Sequence, residues 1–355
     1  MHPHVRTLIL LPILALTRAL HSQTAPPQVL HTQLSTVSAA NGLTPHFDEA
    51  KRSTQPAWLG YAIPLVPGMQ LDAGSYGTLD LNNEGYGYSR SDPNPISTPT
   101  YGALLFHIDQ GVVERIRIVD PARILDAGNQ PFTWLTNVTP ADSIQLLTTM
   151  AKSSAEASTQ RGKDGSRRIF HSALFALAAH NAPAATTALI DMAAPSNPLN
   201  LREQASFWLS NQRGRDGFLA IQKAARNDAD PEFRKKLTFD LTLTKEPEAL
   251  DELIRMAHSD TSPEVRKQAQ FWMANKGGKK VADNLHGIAS NDPNSEVRKA
   301  AVFAISRLPG EESTTRLIEL ASTSKDPAVR KQAVFWLGQS KDPHALDYLT
   351  SLIKQ

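Results

Sequence analysis

The sequence has no cysteine, little net charge and few long apolar runs. Among its 355 residues, 37 basic and 35 acidic side chains leave a formal charge of +2. Without cysteine the chain cannot form a disulfide, a thiol nucleophile, a thiolate metal site or a lipid anchor on cysteine. A charge this close to zero gives no general reason to expect nucleic acid as a partner. Packing alone must therefore stabilise the fold.

The usual signatures of catalysis and cofactor binding are missing as well. The sequence contains no Gly-x-Ser-x-Gly, Gly-x-Gly-x-x-Gly, phosphate-binding loop or His-Glu-x-x-His. Its histidines are scattered and lack the spacing of metal ligands. We therefore expect no catalytic residue, no metal site and no cofactor.

The N-terminus has the pattern of a secretory signal. A short positive segment precedes an apolar run at residues 8–16, which Pro12 interrupts. This run is shorter than the roughly 20 residues needed to span a bilayer. The pattern predicts a signal peptide at residues 1–25 and a mature protein exported to the periplasm or the extracellular space. An uncleaved membrane anchor is the alternative.

A repeat of 32 residues occupies the C-terminal half of the chain. Its first segment, such as Val-Arg-Lys-Gln-Ala-Val-Phe-Trp-Leu from Val329, occurs six times without a gap. The copies begin at Ile169, Leu201, Phe233, Val265, Val297 and Val329. A second apolar column keeps the same register at Leu189, Ile221, Leu253, Leu285, Leu317 and Leu349. Two columns in register through six copies indicate a true repeat.

Both segments of the repeat are predicted to be helices. Apolar residues fall at positions 0, 4, 7 and 8 of the first segment, on one face of a helix. Asp230-Pro231, Ser262-Pro263 and Asp326-Pro327 are typical helix starts, with a capping residue before a proline. A single helical hairpin cannot bury its apolar face, so neighbouring copies must stack. The sequence predicts an all-α superhelix of six hairpins.

The motif Asp-Pro-x-Val-Arg-x-x-Ala with a leucine-rich second helix resembles short HEAT repeats, as in phycobilisome-lyase-type HEAT-like proteins. The resemblance covers residues 169–355. It implies an α/α superhelix that serves as a binding scaffold, and it implies no activity. Members of the deoxyhypusine hydroxylase type hold two irons with paired His-Glu dipeptides, and this sequence has no such dipeptide.

Aromatic residues form two columns in the first helices. Phenylalanine stands at position 6 in every copy: Phe175, Phe207, Phe239, Phe271, Phe303 and Phe335. This column either lines a groove or packs between adjacent first helices. At position 7, Trp208, Trp272 and Trp336 alternate with smaller residues, which favours packing in the core. Asp240 interrupts the second column, and an acid there needs a partner or a wet pocket.

Basic residues form two further columns. Position 1 holds Arg202, Arg234, Arg266, Arg298 and Arg330, and position 2 holds Lys235, Lys267, Lys299 and Lys331. One hypothesis is a basic stripe for an acidic partner. The other is an arginine ladder paired with acids at neighbouring helix starts, with the lysines exposed. Its predicted acids are Glu232, Glu264, Glu296 and Asp326.

The region before the repeats has a different composition. We expect residues 26–55 to be a polar linker and residues 56–139 to be a small β-rich domain that caps a solenoid at 140–355. Apolar runs at 58–66, 77–81, 102–108 and 112–119 predict strands, and Asp109-Gln110-Gly111 predicts a hairpin turn. The loop at 82–99 is rich in Gly and Pro and contains tyrosines, so it is a further candidate for binding.

Two functions from different classes are compatible with these features. The first is an exported, non-catalytic scaffold that binds a protein or peptide, an acidic one included, along the concave face. Its candidate binding residues are Lys235, Lys267, Lys299, Lys331, Phe239, Phe271, Phe303 and Asp240. The alternative is an enzyme, or an accessory subunit of one, with its site at the junction of the β-rich domain and the solenoid.

Overall fold

The structure is a computed structural model that describes residues 25–71, 77–83, 98–159, 164–309 and 311–354. The predicted signal peptide, up to residue 24, and most of the predicted loop at 82–99 lie outside the described residues. The chain divides into two compact units, Met1–Ala188 and Leu189–Gln355.

Unit 1 contains two sheets. The larger has the strand order β2-β8-β3-β5-β6, with β2, β8 and β3 parallel and β3, β5 and β6 antiparallel. The smaller is a parallel sheet of two-residue strands in the order β1-β7-β4. The strands are β1 Val29–Leu30, β2 Leu34–Ser38, β3 Ala57–Pro64, β4 Leu79–Asp80, β5 Tyr101–Asp109, β6 Val112–Val119, β7 Leu125–Asp126 and β8 Phe132–Thr136.

The predicted apolar runs form the centre of the larger sheet. Strands β3 and β5 are buried along most of their length, and Trp58, Phe132 and Trp134 pack in the core beside them. The turn between β5 and β6 has positive φ angles at Gln110 (48°) and Gly111 (79°). Two positive φ angles match the tight turn that joins twisted antiparallel strands. The hairpin prediction is confirmed.

The prediction that residues 26–55 form a linker is wrong. This segment supplies β1, β2 and helix α1 (Thr44–Arg52). Strand β2 pairs in parallel with β8 from Leu34 to Ser38. All five side chains of β2 are exposed, because it is an edge strand. Its sequence therefore lacks the apolar alternation by which a half-buried strand is recognised.

The first helix of the first repeat copy belongs to unit 1, so the predicted domain boundary at residue 140 is also wrong. Helices α2 (Pro140–Ala155) and α3 (Asp164–Ala179) pack together, and α3 packs against β6. The Val66 N–H donates to the Ala179 carbonyl at 2.9 Å, and the Asn181 N–H donates to the Pro64 carbonyl at 2.7 Å. These contacts attach the end of α3 to the end of β3. Helix α4 (Pro183–Met192) spans the division between the units.

Unit 2 consists of stacked helical hairpins, and the predicted HEAT-like fold class is confirmed. Its first helices are α5 Leu199–Gln212, α7 Pro231–Leu243, α9 Pro263–Lys276, α11 Ser295–Ser306 and α13 Pro327–Gln339. Its second helices are α6 Gly214–Asn227, α8 Ala249–Ser259, α10 Lys279–Asn291, α12 Glu311–Thr323 and α14 Pro343–Ile353. Helix α9, for example, packs against α7 and α11 on either side and against α8. Repeat positions 0, 4 and 8 are buried in every one of these first helices.

Candidate partner-binding surface

The arginine column forms a buried ladder between successive loops. Arg234 donates from Nε and Nη2 to the two carboxylate oxygens of Asp260, at 2.9 and 2.8 Å. Arg266 binds Asp292 in the same way, at 2.9 and 3.1 Å. Each of these arginines also donates from Nη1 to the carbonyl six residues before it. One side chain therefore joins its own loop to the next.

The predicted ladder is confirmed, but most of its predicted acids are wrong. Asp326 does pair with Arg298, at 2.7 Å. Asp228, Asp260 and Asp292, each directly after a second helix, are the partners of Arg202, Arg234 and Arg266, and Arg202 also pairs with Asp230 at the next helix start. Burial alone would raise the pKa of Asp260, but its hydrogen bonds from Arg234 and the Ser262 N–H outweigh burial and lower it. The sequence held a signal for these acids, because aspartate stands five residues before the copies that begin at Phe233, Val265 and Val297.

The lysine column is neutralised within its own helices. Lys235, Lys267 and Lys299 pair with the glutamates three residues earlier, at 2.6, 2.7 and 2.6 Å. These lysines are half-buried. Lys331 is exposed, and because residue 328 is alanine it has no acidic partner in the described part of the chain. The structure therefore places three of the four lysines in local ion pairs, which leaves little net positive charge along the column.

The aromatic residues of positions 6 and 7 form one surface on the first helices of unit 2, which we call the aromatic face. It comprises Phe207, Trp208, Phe239, Phe271, Trp272, Phe303, Phe335 and Trp336. All are half-buried except Phe335, which is exposed. Ring centroids lie 4.9 Å apart for Phe239 and Trp272 and 5.2 Å apart for Phe303 and Trp336, on adjacent first helices. The rings therefore pack between neighbouring helices and also present part of their surface to solvent.

The prediction that the tryptophans lie in the core is therefore only partly right. In helices α5, α7 and α9 the buried part includes positions 1 and 5, which hold arginine and the polar residues Ser206, Thr238 and Gln270. At about 100° per residue, these positions rotate the buried face away from position 7. Apolar periodicity could not reveal this, because polar side chains occupy part of the buried face.

Asp240, at position 7 of its copy, is buried beside the aromatic face and forms a polar cluster with Ser206 and Lys236. The Ser206 hydroxyl donates to its Oδ2 at 2.7 Å, and Lys236 Nζ pairs with its Oδ1. The ammonium group also lies over the Phe207 and Phe239 rings, 5.9 and 5.2 Å from their centroids. Burial raises the pKa of Asp240, and its charged and hydrogen-bonding neighbours act in the opposite direction. The prediction that this acid needs a partner is confirmed.

The region proposed for the alternative function contains a crevice inside unit 1. Its volume is about 490 Å³, and its lining includes Lys51, Glu114 and Arg168 with several serines. Tyr61 does not line it: its hydroxyl lies 3.1 Å from Ser143 Oγ, and burial raises its pKa. His107 does not line it either, and burial lowers its pKa.

Among the described residues, no three histidine or carboxylate side chains come together in a way that could hold a metal ion. No helix in the described ranges is long and apolar enough to cross a membrane.

Comparisons with known proteins agree with the repeat assignment. Residues 282–355 match the family model of HEAT repeats. No curated protein sequence matches the chain.

Several solved structures are similar over part of the chain. The complex of CpcE and CpcF of phycocyanin lyase from Nostoc sp. PCC7120 is 26% identical, with a TM-score of 0.33, over 44% of this chain and 99% of that one. Human deoxyhypusine hydroxylase is 18% identical, with a TM-score of 0.29, over 59% and 78%. Kap121p bound to Pho4p is 12% identical, with a TM-score of 0.33, over 56% and 23%. TM-scores this low do not by themselves establish a common fold.

Proposed function

We propose that this chain, a HEAT-like repeat protein, is a non-catalytic scaffold that binds a protein or peptide partner on the aromatic face. The observation that carries the proposal is the row of half-buried rings on successive first helices. Single exposed apolar residues are ordinary on protein surfaces, whereas contiguous apolar patches mark interaction sites. Tryptophan and phenylalanine are also enriched at the centres of interfaces.

The charges on this surface define the chemistry of the partner. Lys235, Lys267 and Lys299 already have acidic partners. An acidic partner would therefore gain little from them, because each new ion pair would replace an existing one. The rings offer the larger contribution, so the partner we propose contributes apolar side chains. Lys236, which pairs with the buried Asp240 and lies over two of the rings, is a polar position at which the partner is selected.

The experiment compares capture of interacting proteins by the wild-type chain and by a Phe271→Ser/Phe303→Ser variant. Both rings are half-buried, and we expect the variant to weaken capture at least about tenfold, as loss of a binding hot spot does. Leu219→Ser is the matched control, since Leu219 is exposed on helix α6 away from the rings. Circular dichroism checks that each variant is folded. Equal capture by all three proteins would contradict the proposal.

We also propose that the chain is exported through its N-terminal segment. The apolar run at 8–16 after a positive segment supports this. Cell fractionation with N-terminal sequencing tests it: the exported chain should lack its first residues, and Leu14→Arg should block export. A chain that stays in the cytoplasm with residue 1 or 2 at its N-terminus would contradict this proposal.

The crevice of unit 1 favours the second candidate function, an enzyme or an accessory subunit. Its mixture of cationic, acidic and hydroxyl groups suits a small polar ligand. A screen of polar metabolites by thermal shift tests this, with Arg168→Ala as the comparison. A ligand of this crevice should stabilise the wild-type chain and have less effect on the variant.

A further inference from the structure

The last hairpin of unit 2 exposes four apolar side chains, and two of them, Leu352 and Ile353, occupy positions that the preceding copy buries. Phe335, Leu346, Leu352 and Ile353 are 53%, 67%, 40% and 87% exposed. We call these four residues, on helices α13 and α14, the terminal edge. In the described part of the chain no further hairpin packs on it.

The preceding copy buries the positions that correspond to Leu352 and Ile353. Leu320 and Ala321, which precede Leu352 and Ile353 by 32 residues, are 1% and 9% exposed. The end of a repeat stack that faces water usually has polar residues at such positions. Here the last copy instead has isoleucine where the copies before it have alanine. A larger aliphatic side chain at an uncovered position is the reverse of capping.

Charged residues beside the terminal edge, on the same two helices, also lack partners that the interior copies have. Arg330 donates to the Ser324 carbonyl at 2.7 Å, but no carboxylate binds it among the described residues. Lys331 likewise has no acid three residues before it. On the neighbouring helix α14, the exposed side chain of Asp347 makes no hydrogen bond or ion pair within the described ranges, although its charge helps to raise the pKa of His344. The edge therefore has unpaired charges of both signs.

We propose that the terminal edge binds a second copy of this chain. In a two-fold arrangement the same surface packs on itself, so helix α13 of one copy lies against α14 of the other. Arg330 and Lys331 of each copy then face Asp347 of the other, and the aliphatic residues are buried between them. An interior copy receives an apolar surface and an aspartate from its neighbour. A second chain would supply the same two contacts to the last copy.

Mass measurement by sedimentation or light scattering over a range of concentrations tests this proposal. The purified chain should have twice the mass of one chain, and Leu346→Ser/Ile353→Asp should weaken dimerisation at least tenfold. Both side chains are largely exposed, so the substitutions should leave the fold unchanged. Leu219→Asp, an exposed position on α6, is the control and should remain dimeric. A chain that is monomeric at every concentration would overturn the proposal.

Charge exchange tests the arrangement itself. Lys331→Glu and Asp347→Lys should each weaken the dimer, and the double variant should restore it, because both copies then have the exchanged pair. No restoration, or a dimer that persists in Leu346→Ser/Ile353→Asp, would show that another surface is used. If only a different protein binds the edge, the proposal is also wrong. Partner capture on the aromatic face is measured separately with Phe271→Ser/Phe303→Ser, so the two proposals can fail independently.

Discussion

Single residues show how one repeat is attached to the next. Arg266 donates to both carboxylate oxygens of Asp292 and to the carbonyl of Asp260, and it is almost completely buried. A lysine could not bind two carboxylate oxygens in this planar fashion. The arginine at this position therefore has a structural role, and it is not available to an acidic partner.

Arg266→Ala should destabilise unit 2 by about 3–5 kcal/mol, because it leaves the buried Asp292 carboxylate without a partner. Urea unfolding followed by circular dichroism measures this. Lys267→Ala is the control: its pair with Glu264 is partly exposed, so the cost should be below about 1 kcal/mol. The double variant Arg266→Met/Asp292→Leu should recover most of the stability. Equal costs for both single variants would contradict this account of the ladder.

Asp240 should make stability depend on pH in the opposite direction to the ladder aspartates. Burial raises its folded pKa above the usual 3.8, so the folded chain holds this proton more tightly than the unfolded chain. Its contribution to stability therefore falls as pH rises from about 4 towards neutrality. Asp260 has a lowered pKa, so its stabilising contribution is lost as the pH falls below its usual value.

Comparison with Asp240→Asn isolates this effect. The difference in melting temperature, variant minus wild type, should increase between pH 4 and pH 7, since only the wild type bears a buried charge there. The attraction of Lys236 for the charged carboxylate lowers the pKa of Asp240 but does not cancel the rise due to burial, so the trend keeps its direction. A difference that stays constant or shrinks as the pH rises would show that Lys236 and Ser206 fully compensate burial.

The role of a residue column could be predicted from the sequence only where the neighbours of that column repeat with the same period. The arginine ladder followed from the spacing, and Asp240 stood out because it broke a column. The half-buried state of the tryptophans did not follow, because buried Arg266 and Gln270 look exposed by hydropathy. Hydropathy alone cannot distinguish a paired buried arginine from an exposed one.

At the scale of whole elements, a single glycine fixes the contact between helices α5 and α6. A Cβ built on Gly217 would lie 2.0 Å from the Leu209 carbonyl oxygen. Gly287, in the second helix α10, has no such neighbour within 4 Å. The two positions are a matched pair, since both are glycines inside second helices.

Gly217→Ala should destabilise unit 2 by more than about 2 kcal/mol, because backbone atoms must move apart, as at other overpacked sites. Gly287→Ala should stabilise it by up to about 1 kcal/mol, since alanine favours the helix. Thermal unfolding of the two variants measures both. The same sign for both changes would show that propensity, and not the contact with Leu209, decides the outcome.

Helices and strands could be predicted from the sequence where one face is buried along their length, because such burial gives a regular apolar pattern. The helical hairpins and the strands β3, β5 and β6 have clear apolar runs and were found. Strand β2 was missed because an exposed edge strand places neither face in the core. Helix α1 was missed because Phe47 is its one buried residue. The place of helix α3 in unit 1 depends on packing against β6, which no local pattern encodes.

At the scale of the whole molecule, a stack of repeats is stable only as far as its neighbours support it. In such an array stability is approximately the sum of repeat and interface contributions. Helix α11 has first helices on both sides, α9 and α13, whereas within the described residues α13 packs against one first helix, α11. The same substitution should therefore have different consequences in the two copies.

Val297 and Val329 test this, because both are fully buried at position 0 of their copies. Truncation of either to alanine should cost about 2 kcal/mol locally, from the lost methyl groups and the cavity. In Val329→Ala, hydrogen exchange should accelerate in α13 and α14 alone, since the end of a stack can open by itself. In Val297→Ala, hydrogen exchange should accelerate in the copy that contains Val297 and also in the two copies next to it. The measurement belongs in the Ile353→Asp background, so that self-association does not protect the last copy. Identical exchange patterns for the two variants would mean that unit 2 unfolds as one cooperative block.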